Sequence, residues 1–216
     1  MRRFALLSLA ALLSACGREQ TPIPPATTSA ANAPAYATAY LQAVDREGNP
    51  VPGMIPIATR QANAFDPPLV LGQPTGPDGS STLRFPKEEH LYLRAWDNDL
   101  NWFPNNFYEV LPGNSDRISN LAITMVPAAA FQARLLHPTG EPVVRENVGL
   151  MMFHPTKGPW WPSEADTGDD GAVRFPHVPA GQYTLKIKVE SGPRIDLPTV
   201  ALPPGETVDL GWVMLQ

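Results

Sequence analysis

The four histidines of this chain are the residues best suited to bind a transition metal or to transfer protons near neutral pH. They are His90, His137, His154 and His177. None of them belongs to an HxH or HExxH pattern, which would bring two imidazoles to one metal ion. The spacing favours separate structural histidines, and we expect neither a metal ion nor another cofactor.

The acidic segment ADTGDDG offers a second kind of chemistry, because carboxylate oxygens are the ligands that calcium prefers. Its carboxylates belong to Asp166, Asp169 and Asp170, and their spacing departs from that of an EF-hand loop. The similar segment TGPDG carries Pro77 where the second has Asp169. Because both segments share only the Asp-Gly step, the pattern favours a tight turn over a calcium site.

Nucleophilic catalysis has little support in the sequence. The chain contains no GxSxG elbow, and its single cysteine, Cys16, ends an apolar run near the N-terminus. Acidic residues are numerous, so a glycosidase pair of carboxylates stays open, but no two of them stand out as a couple. We predict that the protein is not an enzyme, with a hydrolase as the less favoured alternative.

Aromatic side chains are concentrated in two segments rich in Pro, Asn and Asp, WDNDLNWFPNNFY and GPWWP. Strand periodicity does not explain these rings, so we predict that they lie in loops. An exposed ring covers the apolar face of a pyranose while neighbouring amides bind its hydroxyls, and Trp and Tyr also concentrate binding energy at protein interfaces. The candidate ligand-binding residues are Trp96, Trp102, Phe103, Tyr108, Trp160 and Trp161.

The same rings have an alternative structural role, to which we give equal weight. They would fold back to cap the ends of the folded units or to seal the junction between two units. For Trp212, in the closing segment GWVML, we predict a position in the core.

The N-terminal segment MRRFALLSLAALLSAC has the three parts of a secretory signal, which are basic, apolar and small-residue regions. Its apolar part is shorter than the roughly 20 residues of a membrane-spanning helix. Residues 13–16, LSAC, resemble the lipobox of bacterial lipoproteins, whose cysteine is acylated and becomes the first mature residue. The resemblance implies a signal peptide over residues 1–15 and lipid, such as palmitate, on Cys16; the alternative is cleavage near Ala15 that leaves a free thiol.

The residue after the cysteine is Gly17. In the lipoprotein family an aspartate at this position commonly retains the protein in the inner membrane of a Gram-negative cell, so the resemblance implies the periplasmic face of the outer membrane. Several acyl chains on one residue anchor a protein stably. The formal net charge of −5 and the lack of a basic cluster disfavour nucleic acid and anionic lipid as partners, so the lipid would hold the protein to the membrane.

Composition favours a β-rich fold, because 26 prolines and 16 glycines make long helices improbable. With Cys16 lipidated, no disulfide can form within the chain. Residues 16–36 contain mostly Pro, Thr, Ala and Ser with few large apolar groups, so we predict a flexible tether between the lipid and the folded part.

The rest of the chain repeats itself at a constant offset. Gly48 and Gly140 open the segments GNPV and GEPV, 92 positions apart, and Thr75 and Thr167 open TGPDG and TGDDG at the same offset. YTLKIKVE alternates with a period of two, as expected of a strand. We predict two copies of one unit, each with about seven short strands packed as two sheets.

The order GxPV, TGxDG, VRFPHVPAGQYTLKI and PPGETVDLGWVML resembles the carboxypeptidase regulatory-like domain, a transthyretin-like sandwich. The second copy matches across residues 131–216, whereas the first has PKEEHLY in place of PHVPAGQY and so lacks a glycine. The matched motifs are turns and edges. The resemblance implies an accessory or binding module on an exported protein, and it implies no reaction.

The predicted fold class is all-β, with two tandem transthyretin-like (Ig-like) β-sandwiches over residues 37–127 and 128–216. The predicted function is that of a non-catalytic envelope lipoprotein, which binds a polysaccharide or protein of the cell envelope through the aromatic loops. The alternative is a structural or assembly subunit that pairs with a partner through its sheet edges.

Overall fold

The computed structural model describes residues 35–62, 66–113, 115–156, 158–190, 192 and 194–215. The signal peptide, Cys16, Gly17 and nearly all of the tether lie outside these residues, so lipidation of Cys16 stays a prediction. The described part of the chain forms strands and turns, and it holds no helix that is long and apolar enough to cross a membrane. All described residues belong to one unit, Pro34–Gln216.

The first half of the chain forms two sheets of four strands. Their orders are β4-β1-β8-β6 and β3-β2-β5-β7, and the first and last long strands, β1 and β8, pair in parallel. The strands are β1 (Tyr36–Val44), β2 (Ile55–Thr59), β3 (Val70–Leu71), β4 (Ser80–Pro86), β5 (Leu91–Trp96), β6 (Trp102–Pro104), β7 (Tyr108–Val110) and β8 (Arg117–Pro127).

Alternation along these strands explains why the sheets pack face to face. In β1 the side chains of Ala39 and Leu41 are buried, whereas Tyr40 between them is exposed. Phe85 of β4 and Leu93 of β5 come from different sheets and lie in the same apolar cluster. Side chains of a strand point to opposite faces in turn, so one face of each sheet faces the other sheet and forms the core.

The second half forms sheets of three and four strands, with the orders β12-β9-β15 and β11-β10-β13-β14. Its first and last strands, β9 and β15, again pair in parallel. Phe131 and Phe175 stack at 5.8 Å between ring centroids, and they share a core with Leu185 of the opposite sheet. The strands are β9 (Ala129–Leu136), β10 (Asn147–His154), β11 (Gly158–Asp166), β12 (Ala172–Val178), β13 (Gly181–Val189), β14 (Arg194–Leu202) and β15 (Thr207–Met214).

The all-β fold class predicted from the sequence is confirmed, and each half is a β-sandwich. The 92-residue offset recurs in the backbone: Val44 bridges Pro50, and Leu136 bridges Pro142. The counterpart of Gly79 is Gly171, and each has a φ of +74°. The Asp-Gly segments are therefore tight turns at equivalent places in the two sandwiches.

The two sandwiches differ at one edge. In the first, β8 lies between β1 and the short strand β6, which pairs with residues Met125, Val126 and Pro127 of β8. Among the described strands, β6 has no counterpart in the second sandwich, so β15 is an edge strand with β9 as its only neighbour. β6 lies in the first aromatic segment of the sequence, WDNDLNWFPNNFY, between β5 and β7.

The core position predicted for Trp212 is wrong, because its side chain is 62% exposed on β15. The register of β15 against β9 shifts between Asp209 and Trp212, which is a β-bulge. An extra residue in a strand reverses which side chains face inward beyond it. Val208 and Leu210 pack against the core before the bulge and Val213 does so after it, so Trp212 turns outward.

A single residue, Ala128, separates β8 from β9. Its N–H donates to the Asn101 carbonyl at 2.7 Å, and its carbonyl accepts from the N–H of Gly205 at 3.0 Å. One side of this joint is thus bonded to the first sandwich and the other to the second. The short connection predicts little freedom between the two sandwiches.

Candidate functional site

The aromatic residues selected from the sequence lie in strands, so the prediction that they lie in loops is wrong. Trp96 ends β5, Trp102 and Phe103 belong to β6, and Tyr108 begins β7. Trp160 and Trp161 both belong to β11. Strands β6 and β11 are edge strands that contain proline, and edge strands tolerate proline because they need not donate every N–H to a neighbour. In the sequence such strands are easily mistaken for loops.

Four of these rings meet at the junction of the two sandwiches. The ring centroid of Trp161 lies 5.1 Å from that of Phe103, edge to face, and 6.0 Å from that of Trp96. Trp161 is 8% exposed and Trp160, beside it on β11, is 9% exposed. We call Trp96, Phe103 and Trp161 the junction seal. These three rings therefore pack at the junction between the sandwiches, as the structural alternative predicted. The other alternative, that they are exposed in loops, is wrong for these rings.

Trp102 and Tyr108 lie apart from the junction seal. Both are half-buried against the cluster of the first sandwich that contains Ile123 and Met125. The Tyr108 hydroxyl donates to the Ala122 carbonyl at 3.2 Å. These two rings stabilise the first sandwich, and neither lines the cavity at the junction.

A buried carboxylate positions the turn that leads into β6. Asp97 is 7% exposed, and its oxygens accept the backbone N–H groups of Asp99, Asn101 and Trp102 at 3.1, 2.8 and 3.0 Å. Because an Asp side chain can accept hydrogen bonds from several N–H groups in a turn, this one carboxylate stabilises the turn between β5 and β6. In the sequence Asp97 lies in the polar and aromatic segment WDNDLNWFPNNFY, where nothing marks it as buried.

A cavity of about 130 Å³ lies beside the junction seal, and we call it the junction cleft. The first sandwich contributes one wall and the second contributes the other, together with the segment from Pro179 to Gly181. Besides Trp96, Phe103 and Trp161 of the seal, its wall includes Arg94, Asn105, His154, Trp160 and Tyr183. The structure thus places Trp96, Phe103, Trp160 and Trp161 around one cavity.

The wall from the second sandwich is a cluster of rings. His154 lies 5.8 Å from Trp160 and 5.9 Å from Tyr183, measured between ring centroids. The Tyr183 hydroxyl donates to the Ala180 carbonyl at 3.3 Å, and burial raises the pKa of Tyr183 to about 12, with a hydrogen bond from Trp160 acting in the opposite direction. The phenol therefore keeps its proton at neutral pH. A Cβ at Gly181 would lie 3.0 Å from the Tyr183 ring, so this glycine allows the close approach.

Arg94 is the unusual member of the wall from the first sandwich. It is 5% exposed, and its Nε is buried without a hydrogen-bond partner among the described residues. Burial lowers the pKa of Arg94 to about 10, and the Asp66 carboxylate acts in the opposite direction. A buried cation without a hydrogen-bonded anion is costly, which makes this guanidinium the strongest electrostatic feature of the junction cleft.

Sequence reasoning missed Arg94 for a physical reason. In the β5 segment LYLRAW, Leu93 and Ala95 face the core, so Arg94 points to the outer face of its sheet, where a charge is ordinary. It is buried because Asn105 of the first sandwich and Trp160 of the second lie beside it on that face. The available signal was an arginine in the strand that ends at Trp96, but nothing in the sequence placed Trp160 over it.

The other groups considered for metal chemistry have separate partners. Asp169 pairs with the Arg145 Nε at 2.8 Å, Asp170 with the Arg134 Nε at 3.3 Å, and Asp166 accepts from the Asn147 side chain at 3.1 Å. His90 pairs with Glu109 at 2.8 Å, and His137 lies 3.9 Å from Glu146. Within the described ranges, His, Cys, Asp and Glu nowhere form a group of three or more that would hold a metal ion.

Comparison with known proteins assigns no family to the chain. No protein-family model matches it, and no curated protein sequence matches it.

Three pilins are among the solved structures to which the chain is similar. A minor pilin of the gram-positive pathogen Streptococcus agalactiae is 13% identical with a TM-score of 0.40, and the match covers 83% of this chain and 96% of that one. A streptococcal ancillary pilin is 11% identical with a TM-score of 0.38, covering 82% and 62%. The shaft pilin SpaA of Lactobacillus rhamnosus GG is 8% identical with a TM-score of 0.33, covering 84% and 98%. Likenesses of this size assign neither a family nor a function.

Proposed function

We propose that this protein is a non-catalytic envelope lipoprotein that binds a saccharide of the cell envelope in the junction cleft. The observation that carries the proposal is the cavity itself, which lies between two sandwiches and is lined by aromatic rings from both of them. Cavities at the junction of two folded units, with apolar walls and a few polar groups, are typical places for ligands. The polar groups here are Arg94, Asn105, His154 and Tyr183.

The chemistry of the wall supports binding over catalysis. The lining residues of the junction cleft include no Ser, Cys, Asp or Glu. Acyl and glycosyl transfer commonly use a serine or cysteine nucleophile or a pair of carboxylates, and the described wall contains none of these. Its arginine, amide and rings are groups that hold a ligand.

The size of the cavity indicates which part of a saccharide it would take. A cavity of roughly 150 Å³ holds one benzene molecule in an engineered protein core. The junction cleft, at about 130 Å³, therefore suits one edge of a terminal sugar ring, with the rest of the sugar outside the cavity. Trp96 and Trp160 offer apolar surface to the ring, and the Asn105 amide offers both a donor and an acceptor to its hydroxyls.

The proposed location rests on the N-terminal segment. Lipid on Cys16 would anchor the chain to the outer membrane, and residues 16–36 would give the sandwiches reach toward envelope polymers. This part of the proposal is tested by metabolic labelling with a palmitate analogue, comparing the wild type with Cys16→Ser. Label on the wild type alone supports it, whereas equal label on both proteins contradicts it.

The binding proposal is tested with oligosaccharides prepared from the cell envelope, by calorimetric titration of the purified full-length protein. We expect Trp160→Leu to weaken binding by about 10-fold or more, because the ring borders the cavity. The matched control is Trp212→Leu, which removes an exposed tryptophan far along the chain on β15 and should leave the affinity unchanged.

Two outcomes would contradict the proposal. Equal affinities for the wild type and a folded Trp160→Leu protein would move the site away from the junction cleft. A wild-type protein that binds no envelope saccharide would remove the proposed function altogether.

Assembly through a sheet edge is the second candidate function, and β15 favours it. This edge strand exposes Trp212 at 62% and Met214 at 54%, and one side of its backbone has no neighbouring strand in the described sheet. An extended strand of a partner protein would pair with that edge and cover both side chains. Cross-linking in intact envelopes tests it: Trp212→Ser/Met214→Ser should abolish a partner adduct that the wild type forms, and an unchanged adduct would rule this edge out.

A further inference from the structure

We propose that the ligand of the junction cleft is an acidic saccharide end group, whose carboxylate is held by the guanidinium of Arg94. This inference rests on the proposed function and names the chemical class of the ligand. Its structural basis is the pairing, in one cavity, of aromatic rings with a buried guanidinium that lacks a hydrogen bond at Nε among the described residues.

No described residue that lines the junction cleft carries a negative charge. Asp66 acts on Arg94 through its charge, but its Oδ2 accepts the backbone N–H groups of Arg60 and Gln61. A cation removed from water needs an anion with good geometry, so a ligand that brings its own carboxylate would give Arg94 a direct ion pair that the described lining residues do not supply.

A carboxylate fits this guanidinium better than a neutral hydroxyl does. A guanidinium presents paired N–H groups that match the two oxygens of a carboxylate, and such charge-assisted bonds are about twice as strong as neutral ones. A hydroxyl accepts one of these bonds and leaves the charge uncompensated. Discrimination between an acidic sugar and its neutral counterpart should therefore be large in this cavity.

The rest of the wall favours a sugar as the carrier of the carboxylate. Trp96 and Trp160 provide ring surface, and Asn105 and the protonated phenol of Tyr183 provide polar contacts. The formal net charge of −5 opposes the approach of a long polyanion, whereas a single charge at a chain end meets little repulsion. The cavity of about 130 Å³ accepts the carboxylate and the adjoining edge of such an end group.

The test compares sugars that differ only in the carboxylate. The purified full-length protein is titrated with D-glucuronate and D-galacturonate and with D-glucose and D-galactose, followed by NMR line broadening of the sugar. We expect the wild type to bind at least one uronate about 10-fold or more tightly than its neutral counterpart. N-acetyl-alanine and its amide form a separate pair of probes for a peptide carboxyl terminus.

Two substitutions identify the group responsible. Arg94→Met keeps much of the volume and removes a buried charge, so the protein should remain folded and its affinity for the uronate should fall to that of the neutral sugar. Arg94→Lys keeps the charge without the planar fork and should give an intermediate affinity. Trp212→Leu serves as the control with wild-type affinity, and thermal melting shows that each variant is folded.

The outcomes separate this inference from the proposed function. Equal binding of neutral and acidic sugars, lost in Trp160→Leu, overturns the inference and leaves the binding function in place. Binding of N-acetyl-alanine without any sugar overturns the saccharide assignment. No binding of any probe or envelope saccharide overturns both. Uronate binding that survives in a folded Arg94→Met protein also overturns the inference.

Discussion

At the scale of single residues, the turns at Gly79 and Gly171 show how little space the fold leaves. Both residues have a φ of +74°, and a Cβ on either would overlap a backbone carbonyl, that of Ala43 or of Leu135. Gly140 has a similar φ of +87° but open space around its Cα. A comparison of Gly171 with Gly140 therefore separates the cost of the left-handed backbone from the cost of a steric overlap.

Gly171→Ala should destabilise the second sandwich more than Gly140→Ala does. The left-handed backbone costs a non-glycine residue about 1–2 kcal/mol, which both variants lose. Gly171→Ala must in addition displace β9, so we expect a loss of at least about twice the Gly140→Ala value. Urea denaturation followed by far-UV circular dichroism measures both, and equal losses would contradict the predicted overlap.

The aspartates of the same turns make stability depend on pH. The backbone N–H of Ser80 lowers the pKa of Asp78, and that of Ala172, with Arg134, lowers the pKa of Asp170. A carboxyl with a lowered folded pKa stabilises the fold above its unfolded pKa and loses that contribution as the pH falls through the folded pKa. Below about pH 4 the melting temperature of the wild type should fall more steeply than that of Asp78→Asn/Asp170→Asn, which keeps an oxygen acceptor without titrating. If the melting temperatures of the two proteins fell in parallel with pH, these carboxylates would not contribute to the pH dependence of stability.

At the scale of elements, β6 distinguishes the two sandwiches. It covers the end of β8 and carries Phe103 into the junction seal, whereas the equivalent edge on β15 is open. β6 is only three residues long, so its position depends on the turn before it. Asp97 holds that turn through three backbone N–H groups.

Asp97→Ala should loosen β6 without unfolding either sandwich. It leaves three N–H groups without their acceptor, which costs about 2–4 kcal/mol if water replaces part of the lost bonding. Hydrogen exchange should accelerate at the amides of Asn101 and Trp102 and little in β1 or β9. Asp99→Ala, two residues away at an exposed position, is the control and should exchange like the wild type. Unchanged protection in Asp97→Ala would contradict the role of this carboxylate.

At the scale of the whole molecule, we expect the junction seal to make the two sandwiches unfold together. Phe103 and Val126 of the first sandwich belong to the apolar cluster of the second. Trp161→Ala removes the ring that contacts both Phe103 and Trp96, so we expect a single calorimetric transition to split into two. The control Trp212→Ala should keep one transition, and a single transition in Trp161→Ala would show that the backbone joint alone couples the halves.

The sequence predicted features that depend on local chemistry and missed those that depend on distant contacts. The Asp-Gly turns and the alternation of YTLKIKVE led to the all-β fold, because a turn and a strand are encoded by neighbouring residues. The bulge that exposes Trp212 reverses the alternation within one strand, and the sequence signal for it was Gly211, whose φ is +65°. The burial of Arg94 depends on Trp160, more than sixty positions later, which only the packed structure reveals.

The parallel pairing of first and last strands has a mechanical consequence. Because β1 and β8 run in the same direction, and β9 and β15 do likewise, the chain enters each sandwich at one end and leaves it at the other. Tension along the chain then loads all hydrogen bonds of each terminal ladder together, in shear, instead of opening them one after another. Such ladders yield only when many bonds break at once. A chain pulled from its two ends would thus resist extension in both sandwiches.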